Sequence, residues 1–244
     1  MSIGYKTLLL CFLRTYCMGA NFNNKGLQNI GLAFALDPGL KALYAEERQL
    51  MEARERYLAP YNSHPWWNPM LVGYFLFLES HISKGTLSAQ SMEGIRNAAT
   101  HTLSALGDSF FGGSIQVLWS LACVLLLLGG LYWAAVVWLL LPLLCLQAFK
   151  LTTFWLGWSK GLNLLQKIRE MDLMGCAERV KMLNALLIAA LWFTFFLLGP
   201  YPWLMLPAAL PLAGAVYLVA RYGIPRELPL LALAIVLLTW QIVF

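Results

Sequence analysis

Five residues in this chain combine ionisable chemistry with an apolar setting: His64, Glu79, His81, His101 and Asp108. Charge at membrane depth is costly, so each is a functional candidate by default. A metal-dependent intramembrane hydrolase needs histidines and a glutamate converging on one helix face, as in His-Glu-x-x-His. Glu79 and His81 stand two apart and point away from each other on a helix, and no second histidine lies at helical spacing from His81. No metal and no cofactor are expected. No Gly-x-x-x-x-Gly-Lys-Ser/Thr loop occurs, so ATP-driven transport is unsupported, and serine hydrolysis is not expected either. Each candidate also has a plain structural role. His64 before Pro65 caps a helix or sits wet at an interface, Glu79 ends a short helix, and Asp108 after Gly107 caps the start of a span. Asn23 and Gln28, taken alone, are surface polar residues.

The elements that must position these groups belong to a membrane. The chain has 244 residues, of which 60% are hydrophobic and 12% charged; a soluble domain carries about 25% charged residues. The segments Ser109–Phe149, Met182–Ala220 and Leu228–Phe244 contain no charge. About 20 apolar helical residues cross a hydrocarbon core about 30 Å thick, so these segments predict about five transmembrane helices. Arg14 cuts short the apolar run that follows Lys6, and no small-x-small cleavage site follows, which predicts a retained, cytoplasmic N-terminus. The five cysteines are scattered without a Cys-x-x-Cys pair and read as small apolar fillers. The net charge of +5 suits inner loops facing anionic lipid and gives no reason to expect nucleic acid.

Leu40–Leu58 has apolar residues near the helical period with acidic and basic residues opposite, and predicts an amphipathic helix bounded by Pro38-Gly39 and Pro60. Within it, Glu52 and Arg56 stand at the i,i+4 pairing distance. Leu27–Leu36 predicts a shorter helix. The apolar stretch from Pro65 to Glu79 rises only about 22 Å as a straight helix, so an interfacial helix or a re-entrant hairpin is expected. A second broken element is expected around Leu106–Ser114, where Gly107, Gly112 and Gly113 cluster. The resulting division is a cytoplasmic or interfacial amphipathic region at 1–64, a re-entrant hairpin region at 65–108, and a transmembrane region at 109–244. Basic residues place the loop 150–181 and the link after residue 220 in the cytoplasm. The turn Gly199-Pro200-Tyr201-Pro202 then leaves two spans between those loops.

The order of short motifs is more specific than any one of them. Phe12-Leu13-Arg14-Thr15, Asn23 and Gln28 with Gly31 and Pro38, Asn62-Ser63-His64-Pro65, Leu78-Glu79, Gly107-Asp108 and Gly157-Trp158-Ser159-Lys160-Gly161 follow one another in this chain. In sequence and spacing this set resembles the IID subunit of mannose-family phosphotransferase system (PTS) permeases, over roughly residues 11 to 170. The resemblance implies an inner-membrane protein that pairs with a IIC membrane subunit and binds a hexose-type sugar in a pocket between them. Cytoplasmic IIA and IIB proteins would supply the phosphoryl group, and IIC–IID pairs would form a higher oligomer. No catalytic residue is implied in this chain. Carried over position by position, the substrate and translocation residues would be Asn23, Gln28, Asn62, His64, Glu79 and Asp108.

The chain departs from that pattern at several points. His101-Thr102-Leu103-Ser104-Ala105 stands where the family has Gly-Pro-Leu-Ala-Gly. Ser80 replaces the second glutamate of a pair, Phe22 replaces a tryptophan, and Gln116 occupies the place of an arginine. Two readings follow: a permease subunit that moves sugar, or a non-transporting structural or regulatory paralogue that keeps the docking surface for a IIC-like partner.

Overall fold

In the computed structural model, residues 3–198 and the short helical pieces 213–214, 217–218 and 221–222 are described. The chain divides into two compact units, Met1–Ala185 and Leu186–Phe244. Most of the second unit lies outside the described residues, and so do the turn at 199–202, most of 203–220 and the span expected at 228–244, whereas 182–198, the first part of the expected span pair, is helical. The described residues are helical apart from loops and the isolated bridges Asn23 to Leu27 and Leu27 to Tyr61.

The first unit starts with α1 (Tyr5–Arg14), α2 (Asn29–Leu43) and α3 (Glu47–Glu55). The predicted helix boundary at Pro38-Gly39 is corrected here, because α2 runs through both residues and the chain breaks at 44–46 instead. Proline lacks the N–H that would bond the carbonyl four residues earlier. That carbonyl belongs to Phe34, and Arg14 Nη1 donates to it at 3.0 Å while its guanidinium lies 4.2 Å from the Phe34 ring centroid. Arg14 of the Phe-Leu-Arg-Thr motif thus supplies the bond that Pro38 removes.

The short apolar stretch becomes α4 (Asn68–Ile82), with 12 of its 15 residues buried. A helix apolar on all sides belongs inside a protein rather than against one apolar surface. α4 is the centre around which α1, α2 and a later helix, residues 132–160, pack, which explains a length short of a span. The residues 65–79 are one unbroken helix after an initial turn, and the reversal comes at 83–88, where α5 (Ala89–Gly107) begins. Helices α4 and α5 form a hairpin whose open ends meet: a Cβ on Gly107 would overlap His64 Cβ and lie 2.9 Å from Trp67 Cδ1.

From α5 the helix continues through a π-helical segment, Asp108–Ile115, into α6 (Gln116–Leu128). Asp108 therefore lies within a continuous helix, with αR backbone, and its expected role as a capping residue is overturned. The second broken element expected near Leu106–Ser114 is corrected: the helix runs on without a break there and only changes its winding in that π segment. The helix Ala89–Leu128 has 40 residues, about 60 Å at 1.5 Å per residue, twice the hydrocarbon thickness. Its charge-free half from Ser109 onward is the part suited to lipid.

After the Gly129-Gly130 turn, α7 (Tyr132–Lys160) runs back, and these are the two helices among the described residues long and apolar enough to cross a membrane. Trp119 Nε1 donates to Trp138 O at 3.0 Å and Trp138 Nε1 donates to Trp119 O at 3.1 Å, which satisfies both indoles inside the pair. Large apolar residues such as Trp133 and Leu144 face outward, as lipid contact requires. The C-terminal half of α7 crosses α4 at two glycines: a Cβ on Gly73 would overlap Phe154 O, and one on Gly157 would overlap Met70 O. Such contacts need residues without a side chain. Gly157-Trp158-Ser159-Lys160-Gly161 has the letters of a nucleophile elbow, but it forms the end of α7 and the turn after it, not a strand-to-helix turn. The expected loop 150–181 is largely helical, comprising the end of α7, α8 (Leu164–Glu170) and the start of α9 (Leu173–Leu198).

Candidate functional site

The turn before α2 carries two of the predicted site residues, Asn23 and Gln28. Asn23 closes a tight turn, its Oδ1 accepting from Gly26 N at 2.7 Å and Lys25 N at 3.1 Å. Gln28 is buried and its Oε1 accepts from Asn68 Nδ2 at 3.1 Å, while Asn68 Oδ1 accepts from Tyr61 Oη at 2.8 Å. These contacts join the 23–28 turn to the first residue of α4. Buried amides with both ends bonded fix a backbone path at little cost.

Glu79, near the far end of α4, is fully buried. Its Oε1 accepts from Arg56 Nε at 3.0 Å and Tyr57 Oη at 2.9 Å, and its Oε2 accepts from Arg56 Nη2 at 2.7 Å and Tyr44 Oη at 2.6 Å. The forked guanidinium and two phenols occupy the four lone-pair positions of the carboxylate. No acceptor remains for a ligand in this arrangement. The expected i,i+4 pairing of Arg56 with Glu52 is corrected: Arg56 pairs with Glu79 and reaches only the Glu52 carbonyl, at 3.3 Å. Burial raises the Tyr44 and Tyr57 pKa values above the ordinary tyrosine value, as do the charge and hydrogen bond of Glu79, so both phenols stay protonated as donors.

At the other end of the hairpin the polar groups are less occupied. His64 is half-buried, its ring stacked on Phe111 of the π segment at 5.3 Å and edge-on to Trp66 at 5.5 Å. Its Nδ1 accepts from Trp66 N at 3.3 Å, which places the proton of the neutral ring on Nε2. Burial lowers the His64 pKa from the ordinary histidine value, and the Asp108 charge opposes that shift. Asn62 and Asp108 are exposed, and no hydrogen bond of either side chain occurs among the described residues. Asn62, His64 and Asp108 are thus brought to one end of the hairpin, whereas Glu79 lies toward the other.

Two residues of α9 at this end were not anticipated. Asn184 Nδ2 donates to Ser114 O at 2.9 Å, and Lys181 Nζ donates to Ser109 Oγ at 3.2 Å. They stand three apart, on one helix face, and brace both ends of the π segment. Among the described residues, Asn184 Oδ1 and Trp67 Nε1 are buried without a hydrogen-bond partner, and Trp67 packs on Phe111 at 5.4 Å. Long π segments are rare and concentrate at functional positions. In the sequence only Gly112-Gly113 hinted at this one. Among the described residues no cluster of three potential metal ligands exists.

Residues 2–198 match the model of the PTS system mannose/fructose/sorbose family IID component. The chain is 24% identical over 191 residues to the fructose permease IID component of Bacillus subtilis (strain 168), covering 76% of this chain and 68% of that one. It is 25% identical over 182 residues to the mannose-specific EIID component of Escherichia coli (strain K12), covering 74% and 64%. The chain thus spans about two thirds of the length of these relatives. Its fold is similar to that of a membrane protein structure with TM-score 0.70 and 21% identity, covering 79% of this chain and 71% of that one. It is also similar to a chain in a structure of the mannose transporter ManYZ with microcin E492, with TM-score 0.59 and 22% identity, covering 80% and 72%. The chain belongs to the IID component family of the mannose/fructose/sorbose phosphotransferase system.

Proposed function

We propose that the chain is the IID half of a sugar translocation unit, working with a IIC membrane subunit in uptake coupled to phosphorylation by IIA and IIB proteins. The observation that carries this reading is the junction of His64, Asp108 and the π segment. It offers a neutral imidazole N–H, an unengaged carboxylate and an amide at Asn62, groups that match the hydroxyls of a hexose. Irregular backbone that lines a cavity is the usual material of transport sites in membranes. The α4–α5 hairpin acts as the re-entrant element, and the N-terminus faces the cytoplasm of a multi-pass protein in the inner membrane, with the basic segments on the same side. IIC–IID pairs assemble into a higher oligomer. The predicted site residues divide by role: Asn62, His64 and Asp108 face the ligand, while Asn23, Gln28 and Glu79 hold the scaffold that presents them. The chain itself performs no covalent step.

Uptake of a radiolabelled hexose tests this in cells that express the chain with its partner subunits. Asn62→Ala, His64→Ala and Asp108→Ala should each lower uptake at least tenfold while the complex still co-purifies. Unchanged uptake would remove the site assignment. Full assembly with no uptake by the unaltered chain would favour the non-transporting paralogue, a reading motivated by His101–Ala105 replacing the family's Gly-Pro-Leu-Ala-Gly.

A further inference from the structure

Tyr16, Gln147 and Lys150 form a polar cluster where the end of α1 meets α7, and none of them belongs to the His64 junction. Gln147 and Lys150 stand three apart on one face of α7. The Tyr16 hydroxyl donates to Gln147 Oε1 at 2.6 Å, and Lys150 Nζ lies 4.8 Å from the centroid of the Tyr16 ring. One tyrosine thus holds both side chains, the amide through its hydroxyl and the ammonium through its ring face. Its hydrogen bond occupies the Gln147 oxygen and leaves the Nε2 hydrogens as donors. Among the described residues Gln147 Nε2 donates to nothing, and Lys150 Nζ makes neither a hydrogen bond nor an ion pair. The cluster therefore offers donors and positive charge but no free acceptor, which suits a ligand group that only accepts.

The positive charge is not offset by the surrounding elements. Residues 1–36 and 109–169, which supply α1, the Tyr16 turn, α6 and α7, contain no Asp or Glu, and Asp37 of α2 is already paired with Lys41 and Arg54. The charge-free residues Tyr132–Phe149 rise about 27 Å, close to the hydrocarbon thickness of about 30 Å. Lys150, the first charge after them, therefore stands at the level of the lipid headgroups, with Tyr16 beside it as an interfacial aromatic. Leu140, Leu143 and Leu144 continue the Gln147 face at helical spacing and are exposed, giving apolar surface for acyl chains. We infer that Tyr16, Gln147 and Lys150 form a binding site for an anionic phospholipid. Its phosphate lies on Lys150 Nζ and Gln147 Nε2, and its acyl chains lie along Leu140, Leu143 and Leu144. The amine of a zwitterionic headgroup would find no carboxylate here, so the site selects lipids whose headgroup carries net negative charge. Binding requires neither transport nor the His64 junction, so the inference stands or falls apart from the function proposed above.

Native mass spectrometry of the purified full chain in detergent tests this, with phosphatidylglycerol, phosphatidylcholine or inorganic phosphate added at equal concentration. One saturable phosphatidylglycerol adduct is expected, with phosphatidylcholine bound more weakly and no displacement of the lipid by phosphate. Lys150→Gln should weaken phosphatidylglycerol binding about fivefold, and Lys150→Arg should preserve it. Gln147→Leu keeps the helix, removes the amide donors and should weaken binding about threefold. Lys25→Gln removes the same charge from the exposed 23–28 turn and should leave binding unchanged. Equal retention of phosphatidylcholine, displacement of the lipid by phosphate, unchanged binding by Lys150→Gln, or an equal loss in Lys25→Gln would each overturn the site.

Discussion

Glu79 and Asp108 are carboxylates on the same helical hairpin, yet Glu79 is enclosed with every lone pair engaged and the Asp108 side chain stands exposed with no hydrogen bond among the described residues. The sequence gives both the same credentials: an acid near apolar helix, inside a family motif. Their surroundings separate them. A carboxylate saturated by an arginine fork and two phenols fixes α4 against α3 and the loop at 44–46, and a ligand could bind it only by displacing those donors. A carboxylate left open beside a half-buried histidine and a π segment retains its capacity for a partner. Rigidity at one end of the hairpin and unspent hydrogen bonding at the other form a division of labour.

The largest expected effect is at the rigid end. Glu79→Gln leaves Arg56 without its partner, and breaking a buried pair in this way costs about 3–5 kcal/mol. Thermal unfolding in detergent should show a large drop in midpoint and a low yield of folded protein. Tyr57→Phe, which removes one of the four hydrogen bonds, should cost only about 1 kcal/mol. Next is the α4–α7 crossing, where Gly157→Val forces the Met70 carbonyl away and should cost about 1–3 kcal/mol.

The proline repair predicts a smaller and more specific pattern. Arg14→Gln strands the Phe34 carbonyl and should cost about 1 kcal/mol. In a Pro38→Ala background, the restored N–H bonds that carbonyl, so the same change should cost measurably less. Equal costs in both backgrounds would show that Arg14 acts only through its contact with the Phe34 ring.

At the open end the smallest stability effect is a pH dependence. The folded-state pKa of His64 is lowered by burial, so the unfolded chain binds the proton more readily. Stability should be flat above the ordinary histidine value of about 6.5 and fall as the pH drops below it. Asp108→Asn removes the charge that supports protonation and should steepen the fall. His64→Gln should abolish this component, as read from unfolding midpoints between pH 5 and 8.

Much of the fold was legible because apolar period and charge-free length act locally. The hairpin of charge-free helix turning at Gly129-Gly130 and the amphipathic N-terminal helices both follow from neighbouring residues. The boundary at Pro38 was not legible, since the donor that repairs it is Arg14, on another helix. Nor was the state of Glu79, whose partners come from residues 44, 56 and 57. The reach of Lys181 and Asn184 onto the π segment joins positions about seventy residues apart, and a single sequence carries no local trace of it. His64 and Asp108 were each legible through their motifs, but their proximity depends on the hairpin closing at Gly107.

The division of labour is tested most directly by hexose uptake per assembled complex, compared for Glu79→Gln and Asp108→Asn in the same cells. Glu79→Gln should lower the amount of complex but leave uptake per complex near that of the unaltered chain. Asp108→Asn should leave the amount of complex intact and lower uptake per complex at least tenfold. Full uptake per complex by Asp108→Asn, or a loss of uptake per complex confined to Glu79→Gln, would contradict it.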